Sequence, residues 1–157
     1  MTKKIQTILI IFFSIFLVSC GYKKVFQSNV PIIYIKNFDY TGDNKLGYLI
    51  KNEVLLASQK NANNILEVIL NLEKNKLIKT KNKSGKAERY TIQLDANVSI
   101  KNLNNMKIIN KSFNQTIDYN VQSNHFDTIN EENSVKTIAA EKIAEDIVKY
   151  LMLSYNN

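Results

Sequence analysis

Apolar and polar residues alternate through the middle of the chain. In "RYTIQLDANVSIK", Tyr90, Ile92, Leu94, Ala96, Val98 and Ile100 take every second position. Arg89, Thr91, Gln93, Asp95, Asn97, Ser99 and Lys101 fall between them. A period of two predicts a strand with one buried and one polar face. The preceding "ILEVILNLEKNKLIK" keeps Leu66, Val68, Leu70 and Leu72 on one face. The following "IINKSFNQTIDYNVQ" groups Phe113, Ile117, Tyr119 and Val121, with Lys111 and Gln115 as lapses. Lys83-Ser84-Gly85 and Asn104-Asn105 supply the turns, because Gly and Asn tolerate positive φ. Three half-buried strands joined in this way are expected to run antiparallel.

Other periods flank this block. "PIIYIKNF" is rich in β-branched and aromatic residues and predicts a first strand, opened by Pro31. Leu46, Ile50, Val54 and Ala57 then recur at helical spacing, with Thr41 or Asp43 as N-cap and "NANN" (61–64) as the stop. The C-terminal segment predicts a helix of about 25 residues with an apolar stripe of Val135, Ile138, Ala139, Ile143, Ile147 and Leu151. Glu131 and Glu132 read as its solvated first turn, and Lys149 lies near its end, as the helix dipole favours. The order β-α-β-β-β-α predicts an α+β fold. It is a two-layer α/β sandwich over residues 31–157, with a mostly antiparallel four-stranded sheet and two helices on one face. The other sheet face carries Thr, Asn, Gln, Ser and Asp, so it is either wet or docked on something polar.

The N-terminus follows a different logic. Lys3 and Lys4 precede an apolar run from Ile8 to Val18, broken only by Ser14. That run is too short for a membrane span of about 20 residues, but it suits the h-region of a secretory signal. Leu17-Val18-Ser19-Cys20 then matches a bacterial lipobox, and Cys20 is the chain's single cysteine. Residues 1–19 are therefore expected to be removed as a lipoprotein signal. Cys20 is expected to carry a covalent diacylglycerol and an N-acyl chain, and residues 20–30 to tether the domain to the membrane. Several acyl chains give stable anchoring where one does not. Gly21 is not the aspartate that holds lipoproteins in the inner membrane of well-studied bacteria, so the expected location is the periplasmic face of the outer membrane.

The full chain has a net charge of +7; without Lys3 and Lys4 it keeps 19 basic against 14 acidic side chains, or +5. An exported lipoprotein does not meet nucleic acid, so the excess charge points to an anionic partner in the envelope, or only to a lysine-rich genome. The only histidine, His125, lies near Asp127 but has no second nitrogen or sulfur ligand for a metal site, and no nucleophilic triad forms around it. There is no Gly-rich phosphate loop. The expectation is a protein with no catalytic residues, no metal and no dissociable cofactor.

One cluster stands apart. "EKNKLIKTKNKSGKAERY" places Lys74, Lys76, Lys79, Lys81, Lys83, Lys86 and Arg89 around a hairpin. It reads either as a lysine-protected strand edge or as a contact for phosphate groups or an acidic protein lumen. Lys79, Lys81, Lys83, Lys86 and Arg89 are the candidate binding residues.

The whole pattern resembles the lipopolysaccharide-assembly lipoprotein LptE family in its alphaproteobacterial form. The likeness rests on "CGY", "LIKNEVLLA", "AERYTIQLDANVSI" (87–100) and the helix "TINEENSVKTIAAEKIAEDIVKYLML" (128–153). The resemblance implies an outer-membrane lipoprotein that plugs the LptD β-barrel and, with it, inserts lipopolysaccharide into the outer leaflet, without catalysis. It implies basic side chains at the lipopolysaccharide contact. Arg89 matches a family motif, whereas the loop lysines are inferred from this sequence alone. Small periplasmic lipoproteins that activate peptidoglycan synthases share the opening strand and helix and are the alternative.

Overall fold

The computed structural model describes residues 32–155. The signal peptide, Cys20, the tether and Pro31 lie outside the described residues. The elements are β1 (Ile33–Gly42), α1 (Asn44–Leu56), β2 (Asn64–Lys81), β3 (Ala87–Asn102), β4 (Ile108–Asn120) and α2 (His125–Tyr155). The sheet order is β1-β2-β3-β4. β1 pairs parallel with β2, and the two later pairs are antiparallel. The β-α-β-β-β-α order and the two-layer sandwich are as the hydrophobic pattern predicts.

Period-two alternation sets which face is covered. Leu66, Val68, Leu70 and Leu72 of β2 and Leu94, Ala96, Val98 and Ile100 of β3 all point to the helix layer and are buried. Ile50 and Val54 of α1 and Ala139, Ala140, Ile143, Ala144, Ile147 and Leu151 of α2 meet them in one core. A smaller cluster of Ile92, Tyr119 and Val135 lies under the first half of α2.

β1 is short and β2 is long, and this mismatch shapes the molecule. The parallel pairing runs from Ile33–Asn64 to Gly42–Leu72 and stops there. The β2–β3 ladder continues to Lys81–Ala87, so β2 spans about 60 Å at 3.3 Å per residue. Its far half is an edge strand carrying lysines, a common protection against edge pairing. Gly42 makes the exit from β1 at φ +100°; a Cβ there would sit 1.9 Å from the Leu72 carbonyl oxygen.

Several local expectations change. Asp43, not Thr41, caps α1: its carboxylate accepts from the Lys45 and Leu46 amides at 3.1 Å, while Thr41 remains in β1. α1 ends at Leu56 rather than at "NANN", because the next residues bond back to β1. Ser58 Oγ accepts from the Ile35 amide at 2.8 Å, and the Gln59 amide donates to the Ile33 carbonyl at 3.0 Å. α2 has 31 residues, longer than the expected 25 or so, because Asn124 caps it early by accepting from the Phe126 amide. Ile138 is 40% exposed; five residues from Ile143, it is turned about 140° from the buried stripe. Val121 falls beyond β4 and is exposed. In the β3–β4 turn it is Met106, not an Asn, that takes positive φ, while Asn102 and Asn105 accept backbone N–H groups. The two lapses on β4 have helix partners: Gln115 donates to Asp146 at 3.0 Å, and Lys111 Nζ lies 5.8 Å from the Tyr150 ring centre.

Candidate functional site

Two surfaces hold the candidate residues: the far end of the β2–β3 hairpin and the open face of the sheet. The hairpin turn is built around Asn82. Its side-chain oxygen accepts from the Ser84 and Lys86 amides, both at 3.0 Å, and from Ser84 Oγ at 2.7 Å. Gly85 takes φ +80°, so the turn occurs where Lys83-Ser84-Gly85 places it. Lys81, Lys83 and Lys86 are exposed there, and among the described residues they form no ion pair. A shallow depression is lined by Lys81, Asn82, Lys83, Ser84 and Glu88.

Lys79 and Arg89 are separated from those three by direction. Both turn onto the open face toward Asp118: Lys79 is ion-paired with it, and Arg89 Nη2 lies 3.8 Å from its Oδ2. The Lys79 ammonium, followed by the Thr91 hydroxyl, holds the Asp118 carboxyl below the usual carboxylate range. The five candidate cations therefore divide into a free group at the tip and a partly neutralised pair below it.

Sequence reasoning missed the polar cluster on the covered face. Lys76 pairs with Ile92 across the ladder and so continues the inward register of Leu66 to Leu72. Its Nζ lies 4.2 Å from the Tyr90 ring centre and 2.5 Å from Glu132 Oε2. The Tyr119 hydroxyl donates to the same Glu132 oxygen at 2.8 Å, and Lys136 bonds the other oxygen. Tyr90 and Tyr119 stack with ring centres 5.6 Å apart. Burial opposes ionisation of Glu132, but the hydrogen bonds from Lys136, Lys76 and Tyr119 outweigh it and lower its carboxyl to about 2. Glu132 is thus not a solvated first-turn residue. Lys74, one inward step closer to the core, pairs with the cap carboxylate of Asp43. A lysine on an otherwise leucine-lined strand face was the available signal.

The open face is polar across all four strands. Asn71 of β2 and Asn97 of β3 are directly paired, with Thr41 and Ser112 on either side. Thr41 Oγ1 bonds Asn71 at 3.1 Å, and Ser112 Oγ bonds Asn97 at 2.6 Å. Asp95, Asn114, Gln93 and Thr116 extend the same surface toward the hairpin. Among the described residues no helix covers it, and three apolar side chains, Ile69, Leu77 and Ile108, lie more than half exposed on it.

His125 is the exposed first residue of α2. Among the described residues, no three His, Cys, Asp or Glu side chains are grouped for a metal ion. Among the same residues, no helix is long and apolar enough to cross a membrane.

No family model and no curated protein matches this sequence. The fold does match solved structures. Rare lipoprotein B from Shewanella oneidensis superposes with a TM-score of 0.59 at 11% identity, covering 75% of this chain and 95% of its own. Uncharacterized lipoprotein B from Nitrosomonas europaea gives 0.57 at 9% identity, covering 85% and 92%. The chain therefore has a fold seen in bacterial lipoproteins.

Proposed function

We propose that this chain is an outer-membrane lipoprotein, anchored through Cys20, that plugs the LptD β-barrel and assists insertion of lipopolysaccharide. One observation carries the reading: a four-stranded sheet with one face left open and lined mainly by polar side chains, among them Asn71, Asn97, Thr41, Ser112, Gln93 and Asp95. The lumen of a transmembrane barrel is polar. A rigid strand face offering side-chain amides and hydroxyls can exchange its water for lumen donors and acceptors at little net loss. The lipobox and the fold shared with bacterial lipoproteins support the anchored placement. The role is scaffolding and guidance, with no chemical step assigned to the chain's own side chains.

The test is affinity purification of the tagged full chain from envelopes in mild detergent. The reading expects an outer-membrane β-barrel in near-equal amount, together with lipopolysaccharide. Recovery of a peptidoglycan synthase without a barrel would replace it with the activator reading.

A further inference from the structure

One end of the sandwich gathers the start of β1, the end of α1, the β3–β4 turn and the end of α2. Ile33 pairs with Asn64 there, and the Gln59 amide, just past α1, donates to the Ile33 carbonyl at 3.0 Å. The turn is tied in by the Leu103 amide, which donates to the Ile65 carbonyl at 2.8 Å, and by Asn104 Nδ2, which donates to the Asn63 carbonyl at 2.7 Å. α2 runs toward the same end: Glu132 meets Lys76 and Tyr119, whereas Tyr150 meets Phe113, and Leu153 follows one turn later. Each segment carries an uncovered apolar side chain here. Leu56 of α1 is 79% exposed, Leu153 of α2 66%, Met106 of the turn 62% and Ile108 at the start of β4 59%. Lys107 stands between Met106 and Ile108, and Lys60 just beyond Leu56. Both lysines are exposed and, among the described residues, form no ion pair.

This is also the end at which the chain arrives from Cys20, since Ile33 opens β1 here. We propose that, before a protein partner is bound, this end rests on the lipid surface that holds the acyl chains of Cys20. The four apolar side chains enter the head-group layer, and Lys60 and Lys107 lie against lipid phosphates. The inference rests on the anchoring of Cys20 proposed above and adds an orientation to it. The link to the anchor decides which end makes the contact. The hairpin end also bears exposed apolar residues, Phe126 and Ile78 among them. Residues 20–31 can span at most about 40 Å, whereas β2 runs about 60 Å from this end to the hairpin. A chain standing on its hairpin would hold Ile33 beyond the reach of its own anchor. The chemistry selects the occupant. Leu56, Met106, Ile108 and Leu153 come from separate segments, and a deformable lipid interface can take up each of them without a shaped pocket. Anionic head groups attract lysines near the surface. The posture leaves the hairpin and the open sheet face clear of the lipid.

The chain has no tryptophan, so single substitutions report on position. Met106→Trp and Leu56→Trp are placed in the mature, acylated full chain, with Phe126→Trp at the hairpin end and Tyr48→Trp early in α1 as comparisons. Each is reconstituted on vesicles of phosphatidylethanolamine and phosphatidylglycerol with brominated acyl chains. Flotation with the vesicles reports the anchor, and quenching of the tryptophan reports the posture. Emission at 106 and 56 should be quenched, and emission at 48 and 126 should not. Adding Met106→Asn and Ile108→Asn should bring the reporter at 56 to the level of the one at 126. Lys60→Gln and Lys107→Gln should each lower the docked-to-undocked ratio about fivefold, and neither should matter once phosphatidylcholine replaces the phosphatidylglycerol. Flotation with equal quenching at all four positions, or with none at 106 and 56, would overturn the end-on contact and leave the anchor standing. Vesicles that float without the protein would remove the anchor and this inference together. Loss of the barrel from the purification, with quenching as expected, would overturn the plug alone.

Discussion

Lys76 Nζ and Glu132 Oε2 lie 2.5 Å apart, joining the far half of β2 to the first half of α2 across 56 residues of chain. The pair holds the hairpin against the helix where α1 no longer reaches. Lys76 is also laid over the Tyr90 ring, and a cation on an aromatic face gains more when partly desolvated. Its own ammonium is opposed by burial, but the bonds to Glu132 and Tyr119 raise it above the usual lysine value.

This contact makes stability depend on acid pH. The Glu132 carboxyl is lowered from 4.5 to about 2 in the folded chain. A group depressed on folding contributes above its unfolded value, and that contribution is lost as pH falls toward the folded one. The melting temperature should therefore drop between about pH 5 and pH 2, with Glu132 supplying roughly 2 kcal/mol of the loss. Asp43 and Asp118, both lowered, act in the same direction. Glu132→Gln should melt lower at pH 7 and show a shallower acid slope. A slope equal to that of the parent would show that the Glu132 contact adds nothing.

The main core is tested from both layers. Leu94 of β3 and Ile143 of α2 are fully buried in one cluster. An aspartate at either place would enter that cluster without a cation beside it. Leu94→Asp or Ile143→Asp should cost several kcal/mol, comparable with the stability of a whole domain. Thermal melts should show loss of the cooperative transition. A melting point within a few degrees of the parent would contradict the assigned core.

How much of this was legible depends on how far each pattern reached. Uninterrupted alternation from Tyr90 to Ile100 was enough to orient β3, and the β-α-β-β-β-α order followed from period changes alone. The sequence leaves two choices for the α1 cap, because Thr41 and Asp43 are both competent acceptors and backbone geometry decides between them. In the sequence Lys74 and Lys76 belong to a basic cluster, because composition hides direction. Their inward-facing register is apparent only once β2 is carried past Leu72 without a break. The same blindness grouped Lys79 and Arg89 with the tip lysines, although Asp118, some thirty to forty residues away in sequence, turns them to another face.

The lipobox predicts processing that the described residues do not include. Cys20→Ala should yield an unlipidated precursor that fails to reach the outer membrane. The parent should carry its acyl chains on an N-terminal Cys20. Intact-mass measurement of the mature protein decides this, and an unacylated terminus at any other residue would remove the basis for the outer-membrane placement.

The open face supplies the last prediction. Asn97 sits in the middle of it, paired with Asn71 on one side and Ser112 on the other. It is exposed, on the strand face opposite its core neighbours Ala96 and Val98. Substitutions at such surface positions usually shift stability by about 0.5 kcal/mol or less, and Asn is a weak strand former to begin with. Asn97→Arg should therefore melt close to the parent. In a barrel lumen, however, the same change would place a long cation where an amide had met the wall, displacing hydrogen bonds along the row from Thr41 to Ser112. Co-purification with the barrel should fall sharply at unchanged folding. A control, Glu141→Arg, lies exposed on the outer side of α2 and should leave the barrel yield intact. If Asn97→Arg retains the barrel fully while Glu141→Arg loses it, the helical layer and not the open sheet face meets the partner, and the orientation of the plug is reversed.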